Sequence, residues 1–107
     1  MNHVVLIGRP TRDPELRYLP SGVPVCFFTL AVDKSYRNKE GEKEADFIQV
    51  KVWNKLAENT ASYVKKGKLI SLSGKISTGS YQEKDGRTKY TMEVIAENVQ
   101  FLEKTSP

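Results

Sequence analysis

A chain of 107 residues has the size of one compact domain and is too short for two. At 38% hydrophobic it holds enough apolar side chain for a single core, and no run approaches the roughly 20 apolar residues of a membrane-spanning helix. Seventeen Lys and Arg against thirteen Asp and Glu leave a net charge of +4, a weak pointer to a polyanionic partner unless one face collects the charge. The opening, Met1-Asn2-His3-Val4-Val5, enters a strand-like run without the basic start of a signal peptide or the Arg/Ser-rich character of a transit peptide, so a mature cytoplasmic protein is expected. Cys26 is alone, which excludes an internal disulfide and a cysteine metal cage, and within Val25-Cys26-Phe27-Phe28 it reads as a small buried hydrophobe.

In chain order, residues 3–8 form a first strand that is apolar on both faces, so both sides are expected to be covered. Asp13-Pro14 and Pro20-Ser21-Gly22 are turn signals around a short piece at Leu16-Arg17-Tyr18. Residues 23–34 form a long second strand, with Cys26, Phe28, Leu30 and Val32 on one face and Val25, Phe27, Thr29 and Ala31 on the other. Ser35 to Glu44 is charged, lacks apolar periodicity and is expected to be a mobile loop. From Ala45 to Trp53 the alternation puts Ile48, Val50 and Val52 on an aliphatic face, leaving Phe47, Gln49, Lys51 and Trp53 on the other.

One helix follows, with Asn54 as N-cap, a stripe of Leu56, Thr60, Tyr63 and Val64, and Gly67 as the left-handed stop. Leu69 to Ile76 resumes as a strand in which Gly74 marks a bulge or sharp bend. Lys84-Asp85-Gly86-Arg87 signals a hairpin turn, and the closing strand carries Tyr90, Met92, Val94, Ala96, Val99 and Phe101. Three strands, a helix and a hairpin point to an all-β fold, a five-stranded OB-fold Greek-key barrel with one short helix between strands 3 and 4, spanning 1–103, with a short polar tail at 104–107; small SH3-like barrels also present five strands, so the order alone leaves that alternative open.

Aromatic and basic residues recur together. Tyr36 lies in Lys34-Ser35-Tyr36-Arg37, Phe47 and Trp53 share a strand face with Lys51, and Tyr81 lies near the hairpin mouth with Lys75, Lys84 and Arg87 close in sequence. Each ring taken singly could be packing or a plain loop residue. Together they match what single-stranded nucleic acid requires of a binder that ignores sequence, which is flat rings for unstacked bases and cations for phosphates.

Val5-Leu6-Ile7-Gly8-Arg9 with Asp13-Pro14-Glu15-Leu16-Arg17-Tyr18 resembles the opening of the bacterial single-stranded DNA-binding proteins. Phe28-Thr29-Leu30-Ala31-Val32, Val52-Trp53-Asn54-Lys55-Leu56-Ala57-Glu58, Tyr63-Val64-Lys65-Lys66-Gly67 and Tyr90-Thr91-Met92-Glu93-Val94 are similar too, so the likeness runs from residue 2 to about 102. It implies base stacking by Tyr36, Phe47, Trp53 and Tyr81 and phosphate contacts by Arg17, Lys55 and Lys66. Lys34, Arg37, Lys51 and Lys75 join them as candidate cations. The resemblance also implies a homotetramer that coats single-stranded DNA during replication, recombination and repair, with no catalysis, cofactor, small-molecule substrate or membrane.

Departures from the family are visible. Trp is common where Tyr36, Phe47 and Tyr81 stand, and arginines are common where Ser77 and Gly79 stand, so part of a cationic track is missing. The usual flexible linker and acidic protein-docking tip are expected to be absent, because the chain stops at Thr105-Ser106-Pro107 as a trimmed chain or a naturally short relative. His3 is the only histidine and lacks a cysteine partner, which argues against a zinc site, and the glycines lack phosphate-loop spacing. An OB-fold accessory factor, a protein-docking barrel and, last, a nuclease are the rival readings.

Overall fold

A computed structural model describes residues 1–102; the polar tail expected at 104–107 lies outside them. Its elements are β1 (Val4–Pro10), β2 (Glu15–Tyr18), β3 (Pro24–Arg37), β4 (Lys43–Trp53), α1 (Asn54–Tyr63), β5 (Ile70–Gln82) and β6 (Thr88–Phe101). β1 pairs with β5, β5 with β6, β6 with β4, β4 with β3, and β3 returns to β1 at Arg9 and Pro10, so five strands close into a barrel. The sixth strand, β2, is the short piece around Leu16, added to the edge of β3. Counting barrel strands only, the helix sits between the third and fourth, and the architecture is an OB-fold.

The barrel closes because small residues stand where backbones touch. A Cβ at Gly8 would drive into the Ala31 carbonyl oxygen where β1 meets β3, and one at Gly74 would drive into the Ile95 carbonyl oxygen. Gly74 is also where the β5–β6 register slips, so the expected bend is a bulge at a close approach. Beyond it the Asn2 side chain takes over strand pairing, donating to the Ile76 carbonyl at 2.7 Å and accepting from the Ile76 N–H at 2.9 Å.

Inside, Cys26, Phe28 and Leu30 of β3 meet Val50 and Val52 of β4, with Ile70, Leu72, Val94 and Ala96 completing the core. Ala57, Thr60 and Val64 close the cluster from the helix side. Cys26 is fully buried, and loss of hydration pushes its thiol up to about 11.

Several expectations need correction. The helix begins at Asn54 itself, which adopts φ +62°, and its N-cap is Trp53 in extended backbone with no side-chain capping bond. Asn tolerates the left-handed region better than most residues, so its value here is conformational. Tyr63 does not belong to the buried stripe and stands exposed. Gly67 does take a left-handed φ of +80°, but in the turn after the helix; the helix ends at Tyr63 and is capped by Val64, whose N–H reaches the Thr60 carbonyl. The charged loop expected from Ser35 to Glu44 is half strand, because β3 runs on to Arg37 and β4 starts at Lys43, leaving a tight turn organised by Asn38. Finally, among the described residues β1 is covered on one face, while Val5 and Ile7 are exposed on the other.

Candidate nucleic-acid interface

Strand pairing fixes which outward residues are neighbours. One transverse row runs from Phe27 on β3 through Lys51 on β4 and Ile95 on β6 to Lys75 on β5. The rows on either side place Trp53 against Val25, and Gln49 against Thr29. Phe47 pairs with Ala31 farther along. Because directly paired residues share a sheet face, Phe47, Lys51, Trp53 and Lys75 lie on one continuous outer surface. Alternation carries that surface along β5 from Lys75 through Ser77 and Gly79 to Tyr81.

Rings and cations are mixed within it. Lys51 Nζ lies 5.5 Å from the Phe27 ring and 5.6 Å from the Trp53 ring, and it also meets Glu93 at 3.0 Å. Arg17, opposite Val25 on β2, lies 6.0 Å from Phe27 and pairs with Glu15 at 3.0 Å. A largely exposed pair such as Arg17–Glu15 is worth about 0–1 kcal/mol, less than a charge-assisted bond of about 1.5–3 kcal/mol, so its cation can turn to a phosphate at small cost. Phe47 is 67% exposed, far more than a ring needs to be if its task were packing. Trp53 is half-buried, held beside Lys51 at the start of α1.

The remaining candidates sit around this surface. Tyr36 is exposed near the tip of the β3–β4 arm, where the register slips between Asp33 and Arg37, and Lys34 lies 6.0 Å from its ring while bonding Asp46 at 2.6 Å. That bond to Asp46 is the main cause holding the Lys34 ammonium above its usual pKa. Arg37 donates to the Gly41 carbonyl at 2.8 Å within the same arm. Tyr81 is exposed and faces Lys89 across the β5–β6 arm.

Lys55 and Lys66 project from a different neighbourhood. Lys55 is on α1, 81% exposed and 4.0 Å from Glu58. Lys66 lies in the turn after the helix, which is stitched to the barrel: Asp13 accepts its N–H at 2.9 Å and Pro10 accepts that of Gly67 at 2.9 Å. The Tyr18 hydroxyl donates to Glu58 at 2.9 Å, tying the helix to β2, and that bond raises the tyrosine pKa. Among the described residues no group of His, Cys, Asp and Glu is assembled to hold a metal, and no helix is long and apolar enough to cross a membrane.

The profile of the single-strand binding protein family matches residues 1–102. The chain belongs to that family. It is 55% identical to single-stranded DNA-binding protein 3 of Listeria innocua over 96% of this chain and 64% of that protein. It is 57% identical to the single-stranded DNA-binding protein of Halalkalibacterium halodurans, over 96% and 61%. A Clostridium acetobutylicum member, single-stranded DNA-binding protein 3, is 58% identical over 96% of this chain and 72% of its own length. The chain thus spans about 61–64% of the length of the first two curated relatives. Among outward rings of the barrel, the sequence reading passed over Phe27; its signal was there, since alternation set it opposite Cys26 and Phe28.

Proposed function

We propose that this family member binds single-stranded DNA without reading its sequence, coating and protecting single strands in the cytoplasm during replication, recombination and repair, with no reaction catalysed. The observation that carries the reading is the continuous outer surface on which Phe47, Trp53, Lys51, Lys75 and Tyr81 fall in register. Rings there stack bases, and the cations among them meet phosphates; Arg17, Lys34, Arg37, Lys55, Lys66 and Tyr36 extend the path along the arms and the helix end. Each stacked base contributes about 1–3 kcal/mol whatever its identity, so a few rings suffice for affinity without sequence preference.

Assembly is part of the proposal. Among the described residues, no strand covers the second edge of Val4–Gly8, and Val5 and Ile7 are 61% and 53% exposed. An uncovered apolar strand of this kind invites pairing, and a second copy of β1 satisfies it, leading to the homotetramer that the family resemblance implies. The OB-fold domain is taken to comprise residues 1–103. Titration with oligo-dT, followed by the emission of Trp53, the only tryptophan, tests the binding reading: strong quenching is expected, and an unchanged spectrum with no retention on DNA at low salt would sink it. Light scattering at micromolar concentration tests the assembly, and a purely monomeric mass would overturn it.

A further inference from the structure

The rings assigned so far leave out the best-surrounded aromatic on the surface. Phe27 projects outward from β3, opposite Lys51 on one side and Glu15 on the other. It is half-buried, unlike its sequence neighbours Cys26 and Phe28, whose side chains fill the core. Two cations approach its ring, Lys51 at 5.5 Å and Arg17 at 6.0 Å, and Lys51 is at the same time 5.6 Å from Trp53. Phe27 and Trp53 therefore flank a single ammonium. Beside Phe27 runs a groove whose lining includes Arg12, Thr29 and Gln49, where the Gln49 amide donates to the Thr29 hydroxyl at 3.0 Å.

We propose that Phe27 is a further stacking platform, holding a base of single-stranded DNA next to the one on Trp53, with Lys51 between them exchanging its 3.0 Å pair with Glu93 for the intervening phosphate. The inference rests on the reading of the outer surface as the DNA path. Each cation–π contact at such a ring is worth only about 0.5–1 kcal/mol, against about 1–3 kcal/mol for a stacked base, so a base can displace the cations from it. Three carboxylates stand nearby and each already has a partner, which tempers repulsion of a phosphate: Glu15 pairs with Arg17 at 3.0 Å, Glu93 with Lys51 at 3.0 Å, and Asp13 accepts the Lys66 N–H at 2.9 Å. The bland role for the same ring is a lid over the strand pair, and an aliphatic side chain would fill that role as well.

The two roles separate on substitution in the full chain. Phe27→Leu keeps apolar cover and removes the π-face, so oligo-dT affinity should fall roughly five- to a hundred-fold, while Phe27→Tyr should keep it. In a Trp53→Phe background, Phe27→Trp makes residue 27 the sole indole, and oligo-dT should quench it strongly. That quench reads the contact in a folded chain even where Phe27→Leu melts too low for titration. An unquenched indole, or Phe27→Leu binding as tightly as the parent, overturns the proposal. If Trp53→Ala and Phe47→Ala also leave affinity untouched, the whole surface has been misread; if those two weaken binding and Phe27→Leu does not, only Phe27 has been.

Discussion

The inner and outer faces of β3 and β4 are made from adjacent residues of the same chain, yet they answer to different demands. Inward, Phe28, Leu30, Val50 and Val52 are buried at 6% exposure or less and join one hydrophobic cluster. Outward, Phe47 is 67% exposed, and Phe27 and Trp53 share Lys51. The inner set must fill volume, so shape decides what it tolerates. The outer set must keep flat surfaces and charge open to a polymer, so chemistry decides.

The contrast breaks most sharply at its inner side. Leu30→Ala should cost about 2–5 kcal/mol of stability through the cavity left in the core, while oligo-dT affinity per folded molecule stays as it was. Chemical denaturation and a DNA titration on the same sample check both halves. On the outer side the order reverses: Phe47→Ala should weaken oligo-dT binding by about 1–3 kcal/mol, with a stability loss well below the 3–5 kcal/mol of a core Phe truncation. A steep fall in melting temperature with intact DNA affinity would instead make Phe47 a packing residue.

A smaller effect is expected where the outer surface lacks charge. Ser77 and Gly79 lie between Lys75 and Tyr81 on one face of β5, beyond the stretch of that strand that enters the core. Ser77→Arg with Gly79→Arg should steepen the dependence of log affinity on log salt by about 0.7 for each new phosphate contact. The new Cβ at position 79 comes within 3.1 Å of the Thr91 hydroxyl, a side chain that can rotate away. An unchanged slope would show that this strand does not follow the backbone of the DNA.

The smallest signal comes from Cys26, back inside. Its thiol is raised from 9.0 to about 11 by burial, so the folded chain holds that proton more tightly than the unfolded one. The resulting stability is complete below pH 9 and is lost as pH climbs towards 11. At pH 8 alkylation should therefore wait for unfolding, and rapid labelling of native protein would contradict the burial.

How much of this was legible in sequence depended on register. Where β3 and β4 pair continuously, from Val25–Trp53 to Asp33–Ala45, simple alternation separated core from surface and placed Phe47, Lys51 and Trp53 correctly on the outside. Past Asp33 the pairing slips, the side chains turn polar on both faces, and strand looked like loop, so Tyr36 and Arg37 were expected on a mobile segment. Asn54 was misjudged because a cap and a left-handed residue favour the same amino acid. Tyr63 fell on the helical stripe by spacing, but as the last residue of a short helix it stands 65% exposed at an open groove beside Val99 and Phe101 of β6. Phe27 was overlooked because it sits in an apolar run whose members look alike until pairing tells them apart.

The closure of the barrel by its first strand has a consequence for synthesis. β1 is made before β5, and residues Val4 to Gly8 take their partners from Ile70 to Gly74, far along the chain. At about 5–20 residues per second, the ribosome leaves that apolar segment waiting several seconds for its neighbour. During that interval Val5, Leu6 and Ile7 are open to whatever hydrophobic surface is nearby, including the same segment of a sister chain emerging on the next ribosome.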